Sequence, residues 1–372
     1  MGKLPITVKR SIELLGLFLL GTLLILGSDI IMPILMSFFI SIMLLPIYRF
    51  LKRRRLPDSL AIILPIIFLT FFVIVIIWFF SSQVSDLIGD FPQIKRNVNV
   101  HLADLSGWID GLTHLTKPQQ LKIINEQIAK LGTTAGGLFT GALGSISGIF
   151  IFFGLIPIYI YLMLYYKNLF LRFIFMWFDD NSHKKIEESL RETESIIKNY
   201  LVGLLIQITY ITILLGGLLL LFGIKHALLI GVIFALLNLI PYVGALIGNI
   251  IGVLLTLTSS TEISSIVTVL AVITAVQFLD NNILMPRIVG SKIKINALSA
   301  ILGVIIGGTL AGISGMFLAL PIIAVLKIMF DRSPMFKHWG VLLGDDVPVI
   351  SPLNFPIFRK KLLKVNEIKP NL

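Results

Sequence analysis

The sequence predicts an all-α protein, namely a polytopic transmembrane helical bundle of about eight hydrophobic segments with two interrupted helical hairpins in an inverted-repeat-like second half. Hydrophobic residues make up 56% of the 372 residues and charged residues only 14%, whereas a soluble domain is about 25% charged. Several apolar runs approach the roughly 20 residues that a helix needs to cross a bilayer. The positive charges lie in short segments beside these runs, where they set membrane orientation.

The distribution of Lys and Arg predicts which side of the membrane each loop faces. Lys3, Lys9 and Arg10 precede the first span, and the basic run Lys52–Arg55 separates the second span from the third. Because cytoplasmic loops are enriched in these residues, both flanks and both termini are predicted to be cytoplasmic. No small-residue cleavage site follows the first apolar run, so we interpret that run as a retained span. The predicted location is the bacterial cytoplasmic (inner) membrane.

The first half divides into three predicted regions. Residues 1–80 form an N-terminal transmembrane scaffold, 81–133 an extracytoplasmic amphipathic helical segment, and 134–199 a long transmembrane helix followed by a cytoplasmic helix. In 81–133, apolar residues recur every three or four positions, as in an amphipathic helix. This segment is either a gate or oligomer contact, or a helix that rests on its own membrane domain. The charges of both signs within 167–199 are typical of a solvated helix.

The second half, 200–330, contains two spans that are each followed by an interrupted apolar stretch. The first stretch is broken at Asn238–Gly244, where Pro241 lacks the amide donor that a helix interior needs. The second is broken by the glycine-rich run Gly307–Gly315. The flanking charges place one hairpin on each side of the membrane, which predicts an inverted repeat that serves as a transport core. Residues 331–372 are predicted to be a cytoplasmic tail.

Motifs of this half resemble a known family. Ile240–Gly244, Asp280–Gly290 and the glycine-rich Gly307–Gly315 leading to Leu320–Pro321 are similar to motifs of the autoinducer-2 exporter family, also called the PerM permease family. The resemblance extends over nearly the whole chain and implies a transporter of about eight hydrophobic segments. Some members are described as exporters of autoinducer-2, others as sodium or lithium/proton antiporters, and others are linked to sporulation. One departure is Asn296–Ala297, where many relatives have His-Pro, so no role of that histidine carries over.

The candidate site residues are polar side chains and helix-breaking residues of the second half. Asp280 leads, since an acid within a membrane span costs roughly 2.5–3.5 kcal/mol on insertion scales and often serves function; alternatively it is solvated or caps the next segment. The amides either bind a polar solute or only join helices. The predicted substrate or ion path comprises Gln207, Asn238, Pro241, Tyr242, Gly244, Asn249, Gln277, Asp280, Asn281 and Asn282, and the predicted hairpin break comprises Gly307, Gly308, Gly312 and Gly315.

Enzyme chemistry finds little support in the sequence. The chain has no cysteine, and therefore no disulfide, thiolate nucleophile or cysteine metal site. The string Gly312–Gly315 matches the GxSG motif of intramembrane serine proteases, whose serine needs a histidine base. The five histidines all fall in predicted loops or the tail: His101, His114, His183, His226 and His338. With neither an HExxH nor a Walker A motif, we predict no enzyme activity, no cofactor and no metal.

The predicted function is secondary transport, driven by an ion gradient or running downhill. The leading solute is a small polar molecule such as autoinducer-2 or a metabolite, which is exported. Monovalent cation/proton antiport is the alternative, and a non-transporting membrane scaffold is a further one. The predicted partners are the solute or ions, the lipid bilayer and further copies of this chain, but not nucleic acid, because the net charge of +11 is concentrated beside the spans.

Overall fold

The described part of the protein is entirely helical in its regular secondary structure. The computed structural model describes residues 5–89, 96–97, 154–240, 243–260, 262–284, 295–334 and 336–345. Within these residues, five helices are long and apolar enough to cross a membrane, or six if one bent pair counts as a single span. These helices confirm the predicted polytopic all-α class. The count of about eight segments stays a prediction.

The first three helices follow one another with very short connections. They are α1 (Ile6–Leu26), α2 (Ser28–Arg53) and α3 (Asp58–Gly89). Only Gly27 separates α1 from α2, so the turn predicted between the first two spans is tight. α3 continues past the predicted end of the third span at residue 80. The remainder of the predicted segment 81–133 lies outside the described residues, apart from 96–97.

The next pair of helices contains a sharp bend. α4 (Ile156–Tyr165) packs against α2 and α3 and buries Ile156, Ile160 and Leu164. α5 (Lys167–Met176) follows at an angle of 63° to α4 and buries none of its residues. The segment 167–199 was predicted to be a solvated helix, but its first ten residues form this largely apolar helix. The mixed charges begin only with the next helix.

The central element of the described structure is α6 (His183–Leu221), a single helix of 39 residues. It contacts α2 and three helices of the second half, Ala227–Leu237, Ile263–Leu279 and Ala297–Arg332. Its first part carries the mixed charges and its second part is the apolar span, so the predicted boundary at 199/200 falls inside one continuous helix. His183 opens this helix, which corrects its predicted place in a loop.

The first hairpin of the second half is present at the predicted position. α7 (Ala227–Leu237) and α8 (Val243–Ser259) pack against each other on either side of a break. A Cβ atom at Gly244 would overlap the backbone of Leu237 and Asn238, so only glycine permits this close return of the chain. Pro241 and Tyr242 lie outside the described residues.

The second hairpin is formed by one interrupted helix. α9 (Ile263–Leu279) continues into a π-helical turn, and α10 (Ala297–Arg332) follows. The backbone of α10 leaves helical geometry at Ala311 and at Gly312, where φ is 58° and therefore favours glycine. A Cβ atom at Gly307 would overlap the backbone of Gly315, and one at Gly308 would overlap Met316. The two arms of α10 thus fold back on each other at the predicted glycine-rich break.

The start of the predicted tail packs back on the bundle. α11 (Lys337–Leu343) contacts α10. Asn296 caps the N-terminus of α10 by accepting a hydrogen bond from the amide of Ser299, and its Nδ2 donates to the carbonyl oxygens of Leu342 and Gly344 at 2.7 and 2.8 Å. Asn296 therefore joins α10 to the end of α11.

Candidate functional site

A buried carboxylate lies where three elements of the second half meet. Asp280 is 2% exposed and Gln207 is 4% exposed. The Nε2 atom of Gln207 donates a hydrogen bond to Oδ2 of Asp280 at 2.9 Å, and Nδ2 of Asn238 donates to the same oxygen at 3.0 Å. Three of the predicted site residues are thus in direct contact. We call Asp280, Gln207 and Asn238 the Asp280 cluster.

Each residue of the Asp280 cluster occupies a distinct position in the fold. Gln207 lies on α6, about 20 Å along the helix from Glu194 and about 21 Å from Leu221. Asn238 caps the C-terminus of α7 at the break of the first hairpin. Asp280 begins the π-helical turn that continues α9, and such turns are frequent at functional sites. The cluster therefore assembles only when the first hairpin and α9 both dock on α6.

The electrostatic environment of Asp280 is unusual for an acid. Both of its hydrogen-bond partners in the described part of the chain are uncharged amides, whereas a buried carboxylate is normally paired with a cation or a metal. Its burial excludes the alternative that it is simply solvated at the membrane edge. Acids within membrane spans are rare and often belong to ion or substrate pathways, so Asp280 is a candidate site residue.

Three buried side-chain oxygens in the described residues have no hydrogen-bond partner there. They are Oδ1 of Asp280, Oε1 of Gln207 and the hydroxyl of Tyr210. Leaving such an atom unsatisfied costs about 1–3 kcal/mol, so each has the capacity to bind a further donor or cation. Two of these oxygens belong to the Asp280 cluster.

Tyr210 is a site candidate that the sequence analysis missed. It lies three residues after Gln207 on α6 and therefore on the same helix face. It packs against the apolar core that includes Val276, one turn before Asp280 on α9. Its spacing from Gln207 was the available signal, but an isolated tyrosine in an apolar span does not by itself indicate a site.

Of the other predicted path residues, those that the structure describes take no part in the two hydrogen bonds that define the cluster. Asn281 and Asn282 are exposed, and Nδ2 of Asn282 donates to the carbonyl oxygen of Phe278 on its own helix. Gln277 and Asn249 are partly buried on α9 and α8. Gly244 has a structural place beside Asn238, at the turn of the first hairpin.

Two layers close the cluster on the side of the charged half of α6. The first is apolar and packs Ile197, Tyr200, Leu201 and Leu204 of α6 against Phe39 of α2 and Leu318 of α10. The second is ionic: Arg49 of α2 pairs with Glu194 through two hydrogen bonds, and Arg332 of α10 pairs with Glu192 and Glu188. The ionic layer joins the scaffold helix α2 to the second hairpin through α6.

The opposite side of the cluster is also apolar. Ile211, Leu215 and Leu219 of α6 pack against α7 and α9 in the largest buried core of the described residues. The cluster is thus enclosed by apolar layers on both sides. Within the described residues, no group of three or more His, Cys, Asp or Glu side chains could hold a metal ion.

Membrane-length helices with broken hairpins around a buried polar cluster define the architecture of a membrane transporter. The chain belongs to the AI-2E transporter family, whose sequence profile matches residues 14–335. The candidate transport protein YrrI of Bacillus subtilis is 28% identical over 316 residues, which cover 81% of this chain and 86% of the relative. The AI-2 transport protein TqsA of Escherichia coli is 24% identical over 322 residues, which cover 86% and 90%. The candidate transport protein YhhT of Escherichia coli is 24% identical over 325 residues, which cover 87% and 90%.

The family match confirms the resemblance found in the sequence. It spans the scaffold helices, α6 and both hairpins, and it supports a multi-pass membrane protein of the transporter class. The relatives are named as transport proteins rather than as enzymes.

Proposed function

We propose that this protein is a secondary transporter that exports a small polar solute, with the Asp280 cluster as the solute contact. One observation carries the proposal: a carboxylate that is 2% exposed lies between membrane-length helices and, among the described residues, accepts hydrogen bonds from two amides of other elements. An acid within a membrane span lowers stability, and such acids occur mainly where they serve a function. Autoinducer-2 is the leading solute because the relative TqsA is named for its transport.

The chemistry of the cluster suits a solute that donates hydrogen bonds. Oδ1 of Asp280 and Oε1 of Gln207 are acceptors without a partner in the described residues. A hydroxyl-bearing solute would satisfy both oxygens and remove the cost of leaving them unpaired. The amide donors already hold Oδ2 of Asp280 and would keep the carboxylate oriented.

The position of Asn238 suggests how transport is coupled to motion. Because Asn238 lies at the break of the first hairpin, moving that hairpin away from the π-helical turn of α9 would break its hydrogen bond with Asp280 and open the cluster. The apolar layer and the ionic layer of α6 block access to the cluster from the side of the charged half of α6. We propose alternating access in which the hairpins move relative to α2, with the charged half of α6 on the cytoplasmic side.

Cation/proton antiport is the second candidate, and a specific observation favours it. Within the described residues, the unpartnered atoms of the cluster are oxygens, and the side chains that donate to the carboxylate are uncharged amides. Carboxylate and amide oxygens suit small hard cations, and the carboxylate could equally carry a proton.

A single liposome experiment tests both candidates. The purified protein is reconstituted, and uptake of labelled autoinducer-2 is measured beside an internal pH dye during addition of sodium, lithium or potassium. Asp280→Asn keeps an acceptor for both amides while it removes the charge. Glu262→Gln is the matched control, since Glu262 is an exposed acid just before α9.

The outcomes separate the candidates. Autoinducer-2 uptake that is lost in Asp280→Asn but kept in Glu262→Gln supports solute export. Antiport is supported if there is no solute uptake and a cation-dependent proton flux is lost in Asp280→Asn but kept in Glu262→Gln. If folded and inserted protein shows neither flux, autoinducer-2 export and cation/proton antiport both fail, and the scaffold alternative is tested next. The proposed homo-oligomer is tested separately, by the mass of the purified protein in detergent.

A further inference from the structure

α5 is an apolar helix that the rest of the described structure does not cover. None of its residues is buried. Met176 and the adjoining Trp177 are 75% and 73% exposed. The other large apolar side chains that are exposed on this helix and just after it are Leu169, Phe170, Leu171, Phe173 and Phe178. A surface of this size needs an apolar environment.

The helix is nevertheless fixed at both ends. At its start, Nζ of Lys167 donates to the hydroxyl of Tyr48 at 3.0 Å and to the carbonyl oxygen of Leu164 at 3.3 Å. At its end, Nε2 of His183 lies 3.1 Å from the carbonyl oxygen of Phe175 and 3.2 Å from that of Phe178. α5 therefore holds a defined direction, at 63° to the packed helix α4.

The start of α5 lies at a polar layer of the bundle. The hydroxyl of Tyr48 donates to Oδ1 of Asp58 at 2.8 Å, and Nζ of Lys52 pairs with the same oxygen at 3.1 Å. Lys52 thus pairs with this carboxylate directly, and Lys167 is linked to it through the hydroxyl of Tyr48. Such a layer of charged and phenolic groups is typical of the edge of the hydrocarbon core rather than of its interior.

Further positive charge lies at the turn between α2 and α3 and on α5. Arg53, Arg54 and Arg55 are exposed and directly follow Lys52 at the turn between α2 and α3, and Arg172 is exposed in the middle of α5. The basic surface consists of Lys52, Arg53, Arg54, Arg55, Lys167 and Arg172. Asp58 is the acid bonded within it. The surface therefore has a large positive excess and complements an anionic partner.

The combination of an uncovered apolar helix and a basic surface restricts the environment that α5 can occupy. Water would leave its aromatic and aliphatic side chains unburied, and the hydrocarbon core would leave Arg172 without solvation. A helix that is apolar, aromatic and edged by cations suits the boundary between headgroups and acyl chains. Its angle to α4 is consistent with a helix that turns toward the membrane plane.

We propose that α5 lies in the membrane interface and that the basic surface binds the phosphate headgroups of anionic lipids. The aromatic side chains enter the acyl boundary, and the Arg and Lys side chains pair with the phosphates. Because His183 is the first residue of α6 and holds the end of α5, this lipid contact anchors the start of the central helix. This lipid contact does not depend on the proposed transport function.

The depth of α5 is tested on the full-length protein in vesicles. The chain has no cysteine, so Phe173→Cys can carry a single spin label, with Asn168→Cys as a second position on the same helix. Access to dissolved oxygen and to a water-soluble nickel chelate is then measured. We expect the label at 173 to favour oxygen, at a depth just below the phosphates. Three results would overturn the proposal. In the first, the nickel chelate reaches the label better than oxygen does; in the second, neither reagent reaches it; in the third, the label lies at the bilayer centre.

The lipid preference is tested with spin-labelled phosphatidylglycerol and phosphatidylcholine. The unmodified protein is expected to associate preferentially with phosphatidylglycerol. Arg54→Gln combined with Arg172→Gln should lower that preference roughly twofold to fivefold, whereas Lys184→Gln combined with Lys185→Gln, two exposed cations of α6, should leave it nearly unchanged. Both changes leave Lys52, Arg53 and Arg55 in place to set the topology. Equal preference for the two lipids, or equal loss in both variants, contradicts specific binding.

Discussion

Gln207 and Asp280 are separated by 73 residues in the sequence, and a hydrogen bond of 2.9 Å joins them inside the described bundle. Gln207 belongs to the first span of the predicted inverted repeat and Asp280 follows the second. Asn238, from the first hairpin, completes the contact. The Asp280 cluster therefore joins both repeat units of the proposed transport core. A substitution in the cluster is expected to affect the packing of both units.

Replacement of Gln207 by Leu should lower both stability and transport. Among the described residues, two side chains donate to Asp280, and the change removes one of them, which costs about 1–3 kcal/mol. Gln277→Leu is the matched control, since Gln277 is a partly buried amide on α9 outside the cluster. Thermal unfolding in detergent and flux in liposomes are measured for both variants. Equal losses in the two variants would show that the cluster has no special role.

Replacement of Tyr210 by Phe should separate stability from transport. The hydroxyl has no partner in the described residues, so its removal should leave the free energy of unfolding unchanged or raise it by up to about 1 kcal/mol. If the hydroxyl contacts the solute beside Gln207, the apparent affinity for solute falls at the same time. Solute flux measured over a range of concentrations checks this expectation. Unchanged affinity would assign Tyr210 to packing alone.

The hairpin breaks could be predicted from sequence because their causes are local. Pro241 lacks an amide donor, and Gly312 adopts a positive φ, so both breaks are encoded within a few residues. The contact of Asp280 with Gln207 and Asn238 could not be predicted in the same way. It depends on how two elements dock on α6 and on the π-helical turn that orients Asp280.

The character of α5 was missed for a different reason. The charges of 184–198 dominate the composition of 167–199, and they concealed the ten-residue apolar helix at its start. The role of Asn296 likewise requires the tertiary structure, because its partners Leu342 and Gly344 lie 46 and 48 residues away. For Asn296 the missing information was the packing between distant elements, whereas for α5 it was the local composition averaged over too long a segment.

Replacement of Gly315 by Ala should disrupt the second hairpin. A Cβ atom there would overlap the carbonyl group of Gly307, and a backbone group cannot move aside as a flexible side chain can. We expect a loss of roughly 1–3 kcal/mol in the free energy of unfolding. Gly217→Ala is the control, because a Cβ atom at Gly217 meets nothing within 4 Å. Similar unfolding temperatures for the two variants would contradict close contact between the arms of α10.

The ion pairs at the charged half of α6 should control access to the cluster more than they control stability. Arg332 lies 2.5 Å from Glu192 and 3.5 Å from Glu188, and exposed pairs of this kind contribute only about 0–1 kcal/mol. Arg332→Glu places three acids together and should separate α10 from α6. The combined change Arg332→Glu and Glu192→Arg should bring them together again.

The opening can be measured through Leu239, a partly buried residue of the apolar layer beside Asn238. In the cysteine-free chain, Leu239→Cys is the sole target of a membrane-impermeant thiol reagent. We expect Arg332→Glu to raise its labelling rate and the swapped pair to restore the slow rate. High salt should raise the rate in the unmodified background, because it screens exposed charges. Equal labelling rates in the unmodified background, Arg332→Glu and the swapped pair would show that the ion pairs do not block access to the cluster. The apolar layer of α6 would then be the barrier on that side.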